Sequence, residues 1–388
     1  MALSLKLPKS GTGGQGGVLS GMPLVQQMKI LGGAFVVVLL LIAGLVYHDN
    51  RESTYGTAYI SASGDMRMLS QRIAKASSLA LQGNPVAFAQ LKESRDSFAQ
   101  LFERLNAGGE VTGVNVPASP ESVRPQLEAL GQRWGQVDKD AMAMIGQEKN
   151  LVGLGKNVAT IDANNANMLE LTEQVAALKL QAGASAREIA AANQLVMLTQ
   201  RTAKNASALL VGDEINPEVA FLLGKDTNAF RDILQGLGKG SEALRLPGTN
   251  DPDTREKLSE LNKAFLSYQD AISGILGNMQ PLVLSKQAGS RIFRESEELL
   301  AATNALQQGY QETLGDRGLY IVLLIALTLV ALAALGLLAK AYLEDSGRRA
   351  LESEKQRQTS EQVNRENQDA ILRLMNELGD LADGDLTV

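Results

Sequence analysis

Met68-Leu69-Ser70-Gln71-Arg72-Ile73-Ala74-Lys75 returns later in the chain as Met197-Leu198-Thr199-Gln200-Arg201-Thr202-Ala203-Lys204. The offset between the copies is constant there and grows by three residues at Asp213 to Ile215. Beyond that point Asn84-Pro85 matches Asn216-Pro217, Phe98 matches Phe230, and Ser119-Pro120 matches Asp251-Pro252. One residue is then lost, after which Trp134 pairs with Phe265, Leu151 with Leu282, Ile161 with Ile292 and Leu169 with Leu300. Agreement along a whole unit is the mark of duplication, and repeats of this kind set the architecture before any local feature does.

Each repeat reads as four helices, near 53–83, 86–107, 120–147 and 149–182 in the first and 185–211, 217–239, 252–278 and 281–314 in the second. Asn84-Pro85, Ser119-Pro120, Asn216-Pro217 and Asp251-Pro252 each set an N-cap residue before a proline at the first helical position. Gly108-Gly109 and Gly238 to Gly240 suit left-handed caps at the ends of the second helices. Met66, Leu69 and Ile73 in one copy, and Leu195, Leu198 and Leu209 in the other, fall at the spacing of a bundle seam. Only Gly183 separates the fourth helix of the first repeat from the first of the second, which predicts a nearly continuous helix and two bundles stacked end to end. Helices of about 30 residues would make each bundle roughly 45 Å tall.

Two apolar runs flank the repeats. Ile30 to Tyr47 and Leu319 to Ala339 are long enough to cross a bilayer core as helices. Lys6, Lys9 and Lys29 precede the first run, Asp49 and Glu52 follow it, and Lys340, Arg348 and Arg349 follow the second. The positive-inside rule then predicts an inner-membrane protein with both termini cytoplasmic and the part between the runs periplasmic. A cleaved signal peptide is the rival reading of the first run, but no small-x-small site follows Val46. The glycine run from Gly11 to Gly17 lacks the Lys-Ser/Thr ending of a P-loop and reads as a tail.

Composition excludes several functions. The net charge of -6 gives no basic field for nucleic acid. With no cysteine and a single histidine, His48, thiol catalysis, His triads and Cys- or multi-His metal sites fall away together. No nucleophile elbow, metal cluster or phosphate loop is present, so neither an enzyme nor a cofactor or metal site is expected. The loops 106–125 and 244–255 are the longest irregular segments, and Val111, Val114 and Val116 leave a partner site open in the first. Trp134 and Phe265 are expected in the core.

The paired Met-Leu-Ser/Thr-Gln-Arg-x-Ala-Lys segments, the two runs and the ending Leu381-Ala382-Asp383-Gly384-Asp385-Leu386-Thr387-Val388 resemble the PilJ family of type IV pilus chemoreceptors. The resemblance implies a dimeric methyl-accepting transducer for twitching motility. It would act on a CheA-like kinase through CheW-like adaptors, with pilin as a proposed signal source and membrane lipid around the spans. It also implies an all-α layout: a tail at 1–29, spans at 30–47 and 319–339, PilJ-type four-helix modules at 48–183 and 184–318, and a cytoplasmic linker with part of a HAMP relay at 340–388. Ile371, Leu374, Leu378 and Leu381 form the heptad-like stripe of that relay, and Gly384-Asp385 resembles its connector. The second HAMP helix and the methylated coiled coil are absent up to Val388, which predicts a fragment that senses but does not itself control a kinase.

Residues Ile60 to Ala74 are also similar to the ligand segment of NarX- and NarQ-type nitrate sensors. That likeness implies an anion held by Arg67 from each subunit of a dimer, with Ser70, Gln71 and Ala74 on the same helical face. The second repeat has Val196 in place of Arg67. The other reading of Arg67 is a surface charge paired with Asp65 or a nearby carboxylate. Arg72-Lys75 and Arg201-Lys204 read as cations of salt bridges within the modules. Two functions remain open: the sensory portion of a chemoreceptor, or the sensor of a NarX-like histidine kinase binding a small anion.

Overall fold

The computed structural model describes residues 23–211, 215–315 and 317–382. They fall into two units, one of residues 53–315 and one made of the two terminal parts, 1–52 and 316–388. Among the described residues the structure is all-α apart from one small hairpin and an isolated bridge between Ser241 and Leu246: α1 (Leu24–Leu81), α2 (Pro85–Ala107), β1 (Gly109–Val111), β2 (Val114–Val116), α3 (Arg124–Ile145), α4 (Glu148–Gln181), α5 (Ala186–Val211), α6 (Pro217–Lys239), α7 (Pro252–Gly277), α8 (Met279–Gly315) and α9 (Gly318–Ala382). The capping chemistry explains most of these borders. Asn84 Oδ1 accepts from the Val86 and Ala87 amides at 2.9 and 3.3 Å, Asn216 Oδ1 from Glu218 N at 2.9 Å, and Asp251 Oδ2 from Thr254 N at 2.8 Å. Gly108 and Gly240 close α2 and α6 with φ of 86° and 90°. Ser119-Pro120 breaks the pattern: a 3-10 turn, Glu121–Val123, follows it, and the Ser119 side chain caps no helix.

The helices of 53–315 pair across the repeats. One bundle, here called A, is formed by α1 from Ser53 onward, α2, α3 and α8; the other, B, by α4, α5, α6 and α7. The expectation that each repeat closes its own bundle therefore gives way to an exchange of fourth helices. Its cause lies in the joints. Gly183, at φ +65°, reverses the chain: Ala184 N donates to Lys179 O at 3.0 Å and Gly183 N to Leu180 O at 3.1 Å, so α4 and α5 form a hairpin instead of one long helix. Ser185 and Glu188 then complete a capping box, the Glu188 carboxylate accepting from Ser185 N at 3.0 Å. The near-continuous passages lie elsewhere. Gly146 and Gln147 between α3 and α4, and Asn278 between α7 and α8, keep φ negative and ψ near zero, so the helix changes bundle without turning back.

The core follows the periodicity read from the sequence. Met66, Ile73, Leu195, Leu198, Leu151 and Leu282 are fully buried or nearly so, each contributing about 1.5–3 kcal/mol by leaving water. Each bundle has an aromatic pair at the same repeat position. Phe98 stacks on Trp134 with centroids 4.1 Å apart, and Phe230 on Phe265 at 4.5 Å. Trp134 and Phe265 are thus core residues, as expected.

In the terminal unit, α1 and α9 contain the two segments apolar and long enough to cross a membrane. Asp49 pairs with Arg317 at 3.6 Å, and the His48 ring stacks on Tyr320 at 5.9 Å.

Candidate functional site

The first candidate is the face of α1 carrying Arg67, Ser70 and Gln71. The fold divides it. Arg67 and Gln71 are exposed, whereas Ser70 is 1% exposed and donates its hydroxyl to the Arg67 carbonyl at 2.8 Å. Ser70 falls on the Met66–Ile73 side of the helix, where a small polar residue enters the core only by bonding its own backbone. Arg67 makes no ion pair with Asp65 or any other described carboxylate, so the paired-surface reading fails in this chain. Of the neighbouring cations the two arginines pair within their bundles, while Lys75 and Lys204 form no ion pair with a described carboxylate. Arg72 meets Glu93 at 2.8 Å, and Arg201 forks onto the buried Asp226, whose hydrogen bond holds the guanidinium above its ordinary pKa.

A second set of residues, whose mutual contacts the sequence did not reveal, ties two helices in each bundle, α1 to α8 in A and α4 to α5 in B. In bundle A, Tyr59 of α1 stacks on Tyr310 of α8 with centroids 5.0 Å apart. The Tyr59 hydroxyl donates to Pro117 O at 2.9 Å. Ser119 donates to Leu105 O at 2.7 Å, which leaves its oxygen to accept from Tyr310 at 2.6 Å. Burial pushes the Tyr310 phenol up to about 12. The segment 117–119 is thereby fastened to both α1 and α8. The β-hairpin before it turns through Thr112 and Gly113, both at positive φ, and buries Val111 and Val116 at 0% and 3% exposure. Two of the three valines proposed for a partner are therefore core, which leaves Val114 half-buried.

The repeat-equivalent positions in bundle B are Glu188 for Tyr59, Lys179 for Tyr310 and Asp251 for Ser119. There Lys179 donates to Glu188 at 2.9 Å, the pair being 3% and 9% exposed. Burial pushes the Glu188 carboxyl up, but the hydrogen bonds from Lys179 and Ser185 outweigh it and leave the pKa lowered. Among the further polar ties between the repeats in bundle A is a buried one: Arg291 of α8 forks onto both oxygens of Asp140 of α3, a carboxylate 2% exposed that also accepts from Gln136 at 2.9 Å. That bond holds the Arg291 guanidinium above its ordinary pKa.

The expected relay stripe lies on α9. Ile371 and Leu374 are each 58% exposed, an apolar edge left open in the single chain. Leu378 and Leu381 belong to the same helix, while Gly384 and Asp385 lie outside the described residues. Among the described residues no group of three His, Cys, Asp or Glu side chains could hold a metal ion.

Helical bundles whose first and last helices lead in sequence to apolar segments define a sensor of the transmembrane transducer class. The chain belongs to the PilJ family, described as the N-terminal part of type IV pili methyl-accepting chemotaxis transducers, which matches residues 50–159 and 179–290, one match on each repeat. It is 30% identical over 377 residues to protein PilJ of Pseudomonas aeruginosa, covering 96% of this chain and 53% of that one. It is 28% identical over 330 residues to a putative methyl-accepting chemotaxis protein, AlkN, of Alcanivorax borkumensis, covering 85% of this chain and 46% of that one. The chain thus spans about half the length of the curated relatives it matches. Its role is that of the sensory part of a chemoreceptor, and its family is one of receptors.

Proposed function

We propose that this chain gathers a periplasmic signal for type IV pilus twitching and passes it through a HAMP relay to a CheA-like kinase held by CheW-like adaptors. The observation that carries the reading is the tie at 117–119, where one segment holds both α1 and α8, the helices that lead in sequence to the two apolar segments. A signal that loosens the tie changes the packing of α8 on α1. The chain works as a homodimer in the inner membrane with both termini cytoplasmic and 48–318 periplasmic. The exposed edge at Ile371 and Leu374 supports pairing through α9, because an apolar stripe at heptad spacing is stable in water only against another helix. Pilin is the proposed protein stimulus.

The test joins residues 1–388 to the cytoplasmic part of a PilJ receptor and follows kinase phosphorylation in membranes and twitching in cells. The expected result is a functional hybrid whose output shifts with Tyr310→Phe. A hybrid in which the kinase runs identically with and without residues 53–315 would sink the reading. Phosphatase fusions at Gly183 and Val388 test the topology, with activity expected at the first alone.

The alternative, an anion sensor of the NarX type, has one observation in its favour: Arg67 and Gln71 project from the outer face of α1, where a second subunit could reach them. In that case nitrate titrated into the chain in nanodiscs gives a saturable heat that Arg67→Ala removes. Without that heat, Arg67 is surface charge.

A further inference from the structure

The chain passes between the bundles at two places, from α3 into α4 and from α7 into α8. With the repeats aligned on Trp134 and Phe265 the two crossings coincide: Gly146-Gln147 in the first matches Gly277-Asn278 in the second. Their geometry coincides too. Gln147 has φ -101° and ψ 7°, and Asn278 has φ -105° and ψ 16°, in the bridge between the helical and extended basins. Gln147 N donates three residues back to Met144 O at 2.9 Å, and Asn278 N to Ile275 O at 3.1 Å. The four-residue ladder restarts beyond them, with Leu151 N on Gln147 O and Leu282 N on Asn278 O. Each crossing is thus one tightened turn inside a long helical run, the local feature at which such runs flex.

The resting structure does not need glycine at either crossing. A Cβ on Gly277 would meet nothing within 4 Å, and one on Gly146 would meet the Met142 and Ala143 carbonyl oxygens at 3.5 Å, an ordinary contact. Neither residue has positive φ. Gly83 is the opposite case: it sits at φ +79°, and its Cβ would come within 2.6 Å of the Leu151 carbonyl oxygen. Glycine weakens a helix relative to alanine, and what it adds is backbone freedom. Beside the first crossing, the α1–α2 turn meets α4 through Gly83 and Gly155, two residues with no side chains to interlock. We propose that Gly146-Gln147 and Gly277-Asn278 form a paired hinge on which bundle B tilts against bundle A. Because α8 begins at this hinge and carries Tyr310 near its other end, a tilt of bundle B reaches the 117–119 tie along one helix. The hinge is read from residues 53–315 alone and stands whether or not the receptor drives a pilus.

The chain has no cysteine, so paired cysteine substitutions carry spin labels to chosen sites. The test measures label-to-label distances on the whole chain in lipid nanodiscs, with labelled chains diluted among unlabelled ones. Lys92→Cys with Lys225→Cys, at exposed positions of α2 and α6, spans the bundles. Lys92→Cys with Gln132→Cys stays within bundle A, and Lys225→Cys with Ser259→Cys within bundle B. The distance distribution across the bundles should be broader than either within-bundle distribution. Gly146→Ala with Gly277→Ala should narrow it to the within-bundle width and raise the melting midpoint, since alanine fits the space and favours helix. A distribution across the bundles no broader than those within them would overturn the proposal. A broad one that the alanines leave unchanged would overturn it as well, by placing the motion elsewhere. If the double variant does not fold, Gly277→Ala alone, whose Cβ has open space, takes its place and should narrow the distribution in part.

Discussion

Bundles A and B are copies of one plan fastened by different chemistry at the same place. Where α1 meets α8, bundle A has a stack of two tyrosines and a serine; where α5 meets α4, bundle B has a lysine, a glutamate and an aspartate. The backbone tolerates both sets because each satisfies its own polar atoms. The consequences differ. A buried ion pair costs desolvation that its Coulomb attraction barely offsets, whereas stacked aromatics gain from burial and need partners only for their hydroxyls. Bundle B's tie joins helices adjacent in sequence through the Gly183 turn, while bundle A's joins the first and last helices of the unit. The ion pair therefore holds a local hairpin, and the tyrosines hold what is remote.

The aromatic pairs are the feature the two bundles share, and removing them is the severest test. Trp134→Ala and Phe265→Ala should each cost about 3–5 kcal/mol, read as the loss of denaturation midpoint in the corresponding bundle. Clearly unequal losses would show that the plan is copied in sequence but not in energetics. Next, Lys179→Met strands Glu188 in a buried site and should cost roughly 3 kcal/mol at neutral pH by urea denaturation. The pH dependence has a definite sign. The Glu188 pKa is lowered below its ordinary 4.5, so its contribution is complete above that value and is lost as pH falls through the folded pKa. Midpoints measured across that window should fall in the native chain and flatten in Glu188→Gln.

Exchanging the chemistry sharpens the comparison. Lys179→Tyr with Glu188→Tyr, which writes bundle A's pair into bundle B, should leave stability unchanged or raise it by about 2 kcal/mol, since buried ion pairs are often replaced without loss. A marked loss would mean the ion pair is needed to specify the α4–α5 hairpin. The smallest loss belongs to Tyr310→Phe, at about 1 kcal/mol for one hydrogen bond. Its signature is faster amide exchange at 109–119 with bundle B unaffected.

The sequence revealed helix borders well, because Asn-Pro and Asp-Pro pairs cap in the way local chemistry dictates. It misled where one glycine had to be read against another. Gly183 looked like a seam in a continuous helix, yet Ser185 and Glu188 just after it spell a capping box, a signal of a fresh start that was there to be read. The border expected between 147 and 149 lies where Gly146 keeps a helical conformation, so the chain runs on with little interruption. Which fourth helix joins which bundle was not legible at all, since the duplicated stripes are interchangeable in pattern and only the joint geometry selects between them. Of the ligand face on α1, periodicity alone should have sent Ser70 inward beside Met66 and Ile73. Tyr59, Ser119 and Tyr310 were invisible because their contact spans most of the unit in sequence.

The exchange of fourth helices also fixes an order of assembly. Bundle B is built from one uninterrupted stretch, Glu148 to Gly277, and can close as soon as that stretch has been made. Bundle A has three helices ready earlier, but its fourth, α8, is the last of the unit to be synthesised. Local contacts form before distant ones because the loop to be closed is shorter. The chain thus completes its middle first and waits, with the apolar faces of α1, α2 and α3 uncovered, for its end to come back and seal its beginning.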